Sequence, residues 1–154
     1  MATSRVPAAM DALLAILRAA PALAGVRIVD GPEAVNATDR QRIHIGWQPG
    51  ADQAIELEQE FASAGARRRD EMFSIGCYAE ARAGDTDMAV QRARVFALVA
   101  AVETALRATD DEPEAPTLRG TVLWSSLTAG NVTQLQAEGA QAGCAFTITC
   151  RARI

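Results

Sequence analysis

From Met72 to Ala83 the chain alternates between apolar and polar residues, and no other stretch constrains the fold as strongly. A period of two places Phe73, Ile75, Cys77 and Ala79 on one side of a strand. Ser74, Tyr78, Glu80 and Arg82 fall on the other. Gly84-Asp85-Thr86-Asp87 breaks the alternation, and an Ala/Val-rich segment follows over about 86–107. There Val95, Leu98, Val99, Val102 and Leu106 recur at helical spacing. Asp85 or Thr86 can cap this helix, and Asp87 suits the positive end of its dipole.

The remaining segments extend the same scheme. Residues 5–19 read as a first helix, with Pro7 in its opening turn, Ser4 as a cap and Met10, Leu13, Leu14 and Leu17 as its apolar stripe. Val26–Val29 is a short strand. Arg42–Trp47 alternates, with Ile43, Ile45 and Trp47 on one face. In Ala54–Ala62, Ile55, Leu57 and Phe61 point one way, and Glu56, Glu58 and Glu60 the other. This run and Met72–Ala83 would form a long hairpin, with Arg67, Arg68 and Arg69 at its tip. Thr109–Thr117 is acidic, carries two prolines and reads as an exposed loop. Gly120–Leu127 reads as a strand with Val122 and Trp124 on one face, and Thr128–Asn131 as a turn. Val132–Glu138 would continue through a bulge near Gly139–Gly143 into a last strand, with Cys144, Phe146, Ile148, Cys150 and Ile154 facing inward. The expected architecture is a single α+β domain. Its mostly antiparallel β-sheet has five to seven strands, with two main α-helices packed on one face.

Several classes of chemistry find no support in these residues. The chain has 15 basic residues, all arginine, so mechanisms that need a lysine are excluded. A net charge of -4 disfavours general nucleic-acid affinity. The only histidine, His44, sits between Ile43 and Ile45 and reads as a surface or rim residue of a strand's polar face. Cys77, Cys144 and Cys150 lie in strand-like runs, as small buried apolar residues do, and form no disulfide framework. No CxxC or HExxH pattern offers a zinc site. Catalytic, cofactor-binding and metal residues are therefore expected to be absent. Trp47 and Trp124 read as core or rim. The run Ala8–Leu17 is interrupted by Asp11 and fits an amphipathic helix better than a signal peptide, while the three cysteines point to a reducing, cytoplasmic site of synthesis.

Two clusters remain as candidates. Glu56, Glu58 and Glu60 put three carboxylates about 6.5–7 Å apart along one strand face, a solvated or lumen-facing stripe. Arg67, Arg68 and Arg69 form the one basic cluster, a solvated tip or a protein contact.

The order of elements resembles the tail terminator proteins of long-tailed (siphovirus-type) phages of actinobacteria. It is carried by Ile75–Asp87, Ala93–Glu103, Gly120–Trp124 and the closing Thr147-Ile-Thr-Cys-Arg-Ala-Arg-Ile154. The resemblance covers most of the chain. It implies a virion protein with a mixed sheet flanked by helices, forming a six-membered ring on the head-proximal end of the tail tube. That ring ends tube polymerisation and offers a surface for head–tail joining. Its partners would be further copies of itself, the tail tube protein and the head–tail connector or stopper protein, with DNA only passing through the lumen. On this reading Glu56, Glu58 and Glu60 would face the lumen, and Arg67, Arg68 and Arg69 would touch a neighbouring subunit or the tube. Competing readings are another head–tail connector or head-completion protein, and a small-molecule-binding or hydrolytic α+β domain that uses the glutamate face.

Overall fold

The computed structural model describes residues 2–33, 39–84, 86–136 and 139–154. Asp85, one of the two expected caps, lies outside them, as does the end of the Val132–Glu138 run. The elements are α1 (Val6–Ala19), β1 (Arg27–Asp30), β2 (Gln41–Ile45), β3 (Ile55–Phe61), β4 (Arg69–Arg82), α2 (Met88–Ala105), β5 (Trp124–Gln136) and β6 (Ala140–Arg153). They form an α+β fold: a six-stranded sheet in the order β1-β2-β4-β6-β5, with β3 also paired to β4. Among the described residues only β1 and β2 run parallel; every other pair is antiparallel.

β4 organises the sheet. Its 14 residues extend about 45 Å at roughly 3.3 Å each. Along one edge β6 pairs with it from Asp70 to Arg82. The other edge is shared: β3 takes Arg69–Ile75 and β2 takes Cys77–Ala81. The alternation read from the sequence sets which face is buried. Phe73, Ile75, Cys77 and Ala79 join Phe146, Ile148 and Cys150 of β6 in one core, completed by Leu13 and Leu17 of α1 and by Val95, Leu98 and Val102 of α2. Both helices therefore cover this inner face.

The helix starts depart in detail from expectation. Asp87 caps α2, its carboxylate accepting a hydrogen bond from the Val90 amide. α1 is held by a residue distant in sequence. Glu71 of β4 is fully buried on the inner face. Its carboxylate accepts hydrogen bonds from the Ser4 hydroxyl and the Arg5 amide, while Ser4 Oγ accepts one from Val6 N. A carboxylate is well placed there because the first-turn amides have no partner within the helix.

The C-terminal half differs most from the sequence reading. The Thr109–Thr117 loop contains a single 3-10 turn, Ala115–Thr117. Gly120–Leu123 precedes β5 and does not begin it. Val122 is buried, whereas Trp124 stays 39% exposed. The expected turn at Thr128–Asn131 is absent. β5 runs through it with one extra residue at Thr128, because Leu127 pairs with Ile148 and Ala129 with Thr147. Val132–Gln136 does not continue into the last strand through a bulge; it pairs back on β6 as the far half of a hairpin. Gly143 lies flat within β6, and a Cβ there would sit 1.9 Å from the Tyr78 hydroxyl oxygen. The Tyr78 ring thus lies across this position, which only glycine leaves open.

Candidate functional site

The expected β3–β4 hairpin forms at one edge of the sheet, and its 62–68 connection lies beyond Asp70–Arg153, the end pair between β4 and β6. On its inner face Ile55 is half-buried, but Leu57 is 48% and Phe61 70% exposed. Their register partners are Phe73 and Arg69. The alternation that points these side chains inward is correct, yet β3 pairs only with β4 and lies at the sheet's edge, so its inner face stays open where that of β4 is covered.

Glu56, Glu58 and Glu60 are all exposed on the outer face, opposite Ser74, Met72 and Asp70. The carboxylate row does not make this face uniformly acidic. Two strands away, β6 presents Arg151 and Arg153, whose guanidinium groups both bind Asp70 at 2.6–2.7 Å. Arg153, then Arg151, hold the Asp70 carboxyl down at about 2 by donating hydrogen bonds to it.

The arginine triplet divides. Arg67 and Arg68 are exposed at the tip, with no ion pair among the described residues. Arg69 is not part of the tip: it opens β4, and its backbone exchanges two hydrogen bonds with Ile154, at 2.8 and 2.9 Å. Asp70 and Glu71, read from the sequence as loop residues that partly cancel the cluster, do not do so. One is tied to β6 and the other to α1, so the tip keeps its positive charge.

His44 is not a surface or rim residue. It is 3% exposed, and its Nδ1 lies 3.0 Å from the Gly31 carbonyl, which makes that nitrogen the donor. Its ring packs 4.7 Å from Trp47, and Trp47 meets Tyr78 edge-on. Beside them the buried Arg42 binds Glu80 at 2.6 Å, and Gln141 donates to the other Glu80 oxygen. This part of the outer face is a closed polar layer, which the alternation alone assigns to solvent. Tyr78, an aromatic on the nominally polar side, was the available signal; Trp47, expected on the face of Ile43 and Ile45, leaves that alternation after Gly46, which takes a positive φ of 79°, and packs on His44 instead.

Cys77, Cys144 and Cys150 are free and buried. Desolvation pushes Cys77 and Cys150 up to about 12 and raises Cys144, so these thiols are poor nucleophiles near neutral pH. Among the described residues no group of three His, Cys, Asp or Glu side chains could hold a metal. Among the described residues no helix is long and apolar enough to cross a membrane.

At the far end of α1 lies a mostly apolar groove of about 420 Å³. Ile16, Ala19 and Pro21 form one wall, Ala101 and Ala105 of α2 the other, and Asp111 and Glu112 stand at its edge. Glu112 is paired with Arg119. Asp110, Asp111 and Glu114 of the same connection carry no ion pair among the described residues.

The chain matches no protein-family model and no characterised protein sequence.

Proposed function

We propose that this protein is a ring-forming structural subunit of a phage tail, akin to the tail terminators its element order resembles. In that role it closes the head-proximal end of the tail tube and offers a surface for head–tail joining. The observation that carries the reading is the β3–β4 hairpin. It extends Leu57 and Phe61 into solvent behind a tip with two unpaired arginines. Exposed large apolar side chains on an edge strand favour a surface that another protein covers. The buried thiols and the histidine locked under Trp47 fit a scaffold better than a reaction centre. Glu56, Glu58 and Glu60, on the opposite face of the same hairpin, would repel DNA phosphates if that face lined a lumen.

The test is native mass over a concentration series, followed by imaging with tail tubes. Six copies of a 16.3 kDa chain weigh about 98 kDa in the closed ring that symmetry favours. A discrete oligomer near that mass, seen capping one tube end, is the expected result. A strict monomer that leaves tubes uncapped overturns the reading. Heads that lose DNA when the protein is missing, with tails of normal length, would assign it to head completion instead.

A further inference from the structure

We propose that the β3–β4 hairpin of one copy seats in the α1–α2 groove of the next, with Arg67 and Arg68 against the acidic connection Asp110–Glu114. This inference rests on the ring reading and names the contact that would build the ring.

Charge is the first argument. Arg67 and Arg68 are exposed and unpaired, and so are Asp110, Asp111 and Glu114. They are a basic and an acidic surface, each without an ion-pair partner among the described residues. Shape is the second. Leu57 and Phe61 form the exposed apolar face of an edge strand, and the groove is a concave apolar surface of about 420 Å³. On both surfaces the charges border the apolar part, so one placement satisfies both.

Position is the third argument. The tip half of the hairpin holds the N-terminus of α1, through Glu71, the register partner of Gln59, with Ser4 and Arg5. The groove is built on that helix's last turn, about 20 Å away for 14 residues at roughly 1.5 Å each. Seven ladder pairs hold the hairpin extended, so it cannot fold back into its own groove. Two different patches at opposite ends of a subunit give a head-to-tail contact, which repeats into a ring when the rotation closes.

Paired charge reversals test the proposal. The first variant is Arg67→Glu with Arg68→Glu, and the second is Asp110→Arg with Asp111→Arg. All four positions are exposed, so both variants should fold, as circular dichroism will verify. Each alone should associate on the order of a hundredfold more weakly than wild type, since like charges then meet across the contact. An equimolar mixture should regain wild-type assembly, because each altered tip meets an oppositely altered groove. Arg68→Cys mixed with Asp111→Cys should also yield a disulfide-linked heterodimer, with the three native thiols buried and silent. If wild type forms a ring and either reversal leaves association unchanged, the docking is wrong and the ring reading survives. If wild type stays monomeric, leaves tubes uncapped and gives no cross-link, both fall together.

Discussion

Gln91 provides the sharpest test of the energetics of this core. It sits one turn into α2 with no exposed surface. Neither its amide nitrogen nor its amide oxygen has a hydrogen-bond partner among the described residues. An unsatisfied buried polar group costs about 1–3 kcal/mol. Methionine has nearly the same length and flexibility, a similar helix propensity and no amide to satisfy. Gln91→Met should therefore stabilise the fold by about 2 kcal/mol, the middle of that range. For a chain of this size each kcal/mol moves Tm by about 2–4 °C, so the expected rise is about 4–8 °C. Thermal melts followed by circular dichroism on unassembled protein would measure it, with urea titration as a second determination. Gln91→Glu supplies the opposite arm: an unpaired charge at the same place should lower Tm sharply at neutral pH. A Gln91→Met protein with unchanged or lowered Tm would refute the reasoning. It would show that the amide is satisfied in solution, by water or by rearrangement, and that its burial carries no penalty.

Other consequences are equally direct. Glu71→Ala removes the acceptor of Ser4 and Arg5, and should destabilise the protein by about 2–3 kcal/mol in urea titration, as expected for losing hydrogen bonds to a charged cap. Hydrogen exchange should then be fastest in the first turn of α1. Gly143→Ala drives a methyl group into the Tyr78 ring and should cost at least about 2 kcal/mol; adding Tyr78→Ala should relieve the clash. Asp70 titrates at about 2 in the folded protein against 3.8 for a free aspartate. Its folded value is the lower one, so its contribution is fully present above about 3.8 and is lost as pH falls towards about 2. Asp70→Asn should lack that step, and overlapping stability curves for mutant and wild type across this window would remove the claim.

Elements whose periodicity is long and uninterrupted could be read from the sequence. α1 begins one residue after the expected position. α2, the β3–β4 hairpin and the inward set Phe73, Ile75, Cys77 and Ala79 follow from spacing alone. β5 could not be read, because the extra residue at Thr128 shifts the phase of the alternation midway. Gly130-Asn131 then imitates a turn inside a continuous strand. Asp70 and Glu71 follow three arginines and resemble loop residues. Their burial depends on Arg151, Arg153 and the start of α1, all more than 60 residues away in the chain. His44 failed for a related reason: alternation tells which face a side chain takes, but not whether another part of the chain covers that face. Of the candidate residues, the glutamate row and Arg67–Arg68 lie where spacing put them, while Arg69 belongs to the sheet. The groove carries no sequence signature, since it forms where the ends of two helices happen to meet.

The strand order has a further consequence, for how the molecule is made. β6 lies between β4 and β5, yet it is the last of the six strands in the chain. β4 must wait about 60 residues for its principal neighbour, and β5 has no other neighbour among the described residues. During synthesis the apolar side of β4 and an open ladder edge stand ready long before the strand that closes them arrives. Such edges recruit strands from other chains, and long-range pairing is slow. Crowded nascent chains would therefore tend to cross-pair, and yield in the cell should depend more on chaperone shielding of this interval than on the stability of the finished fold.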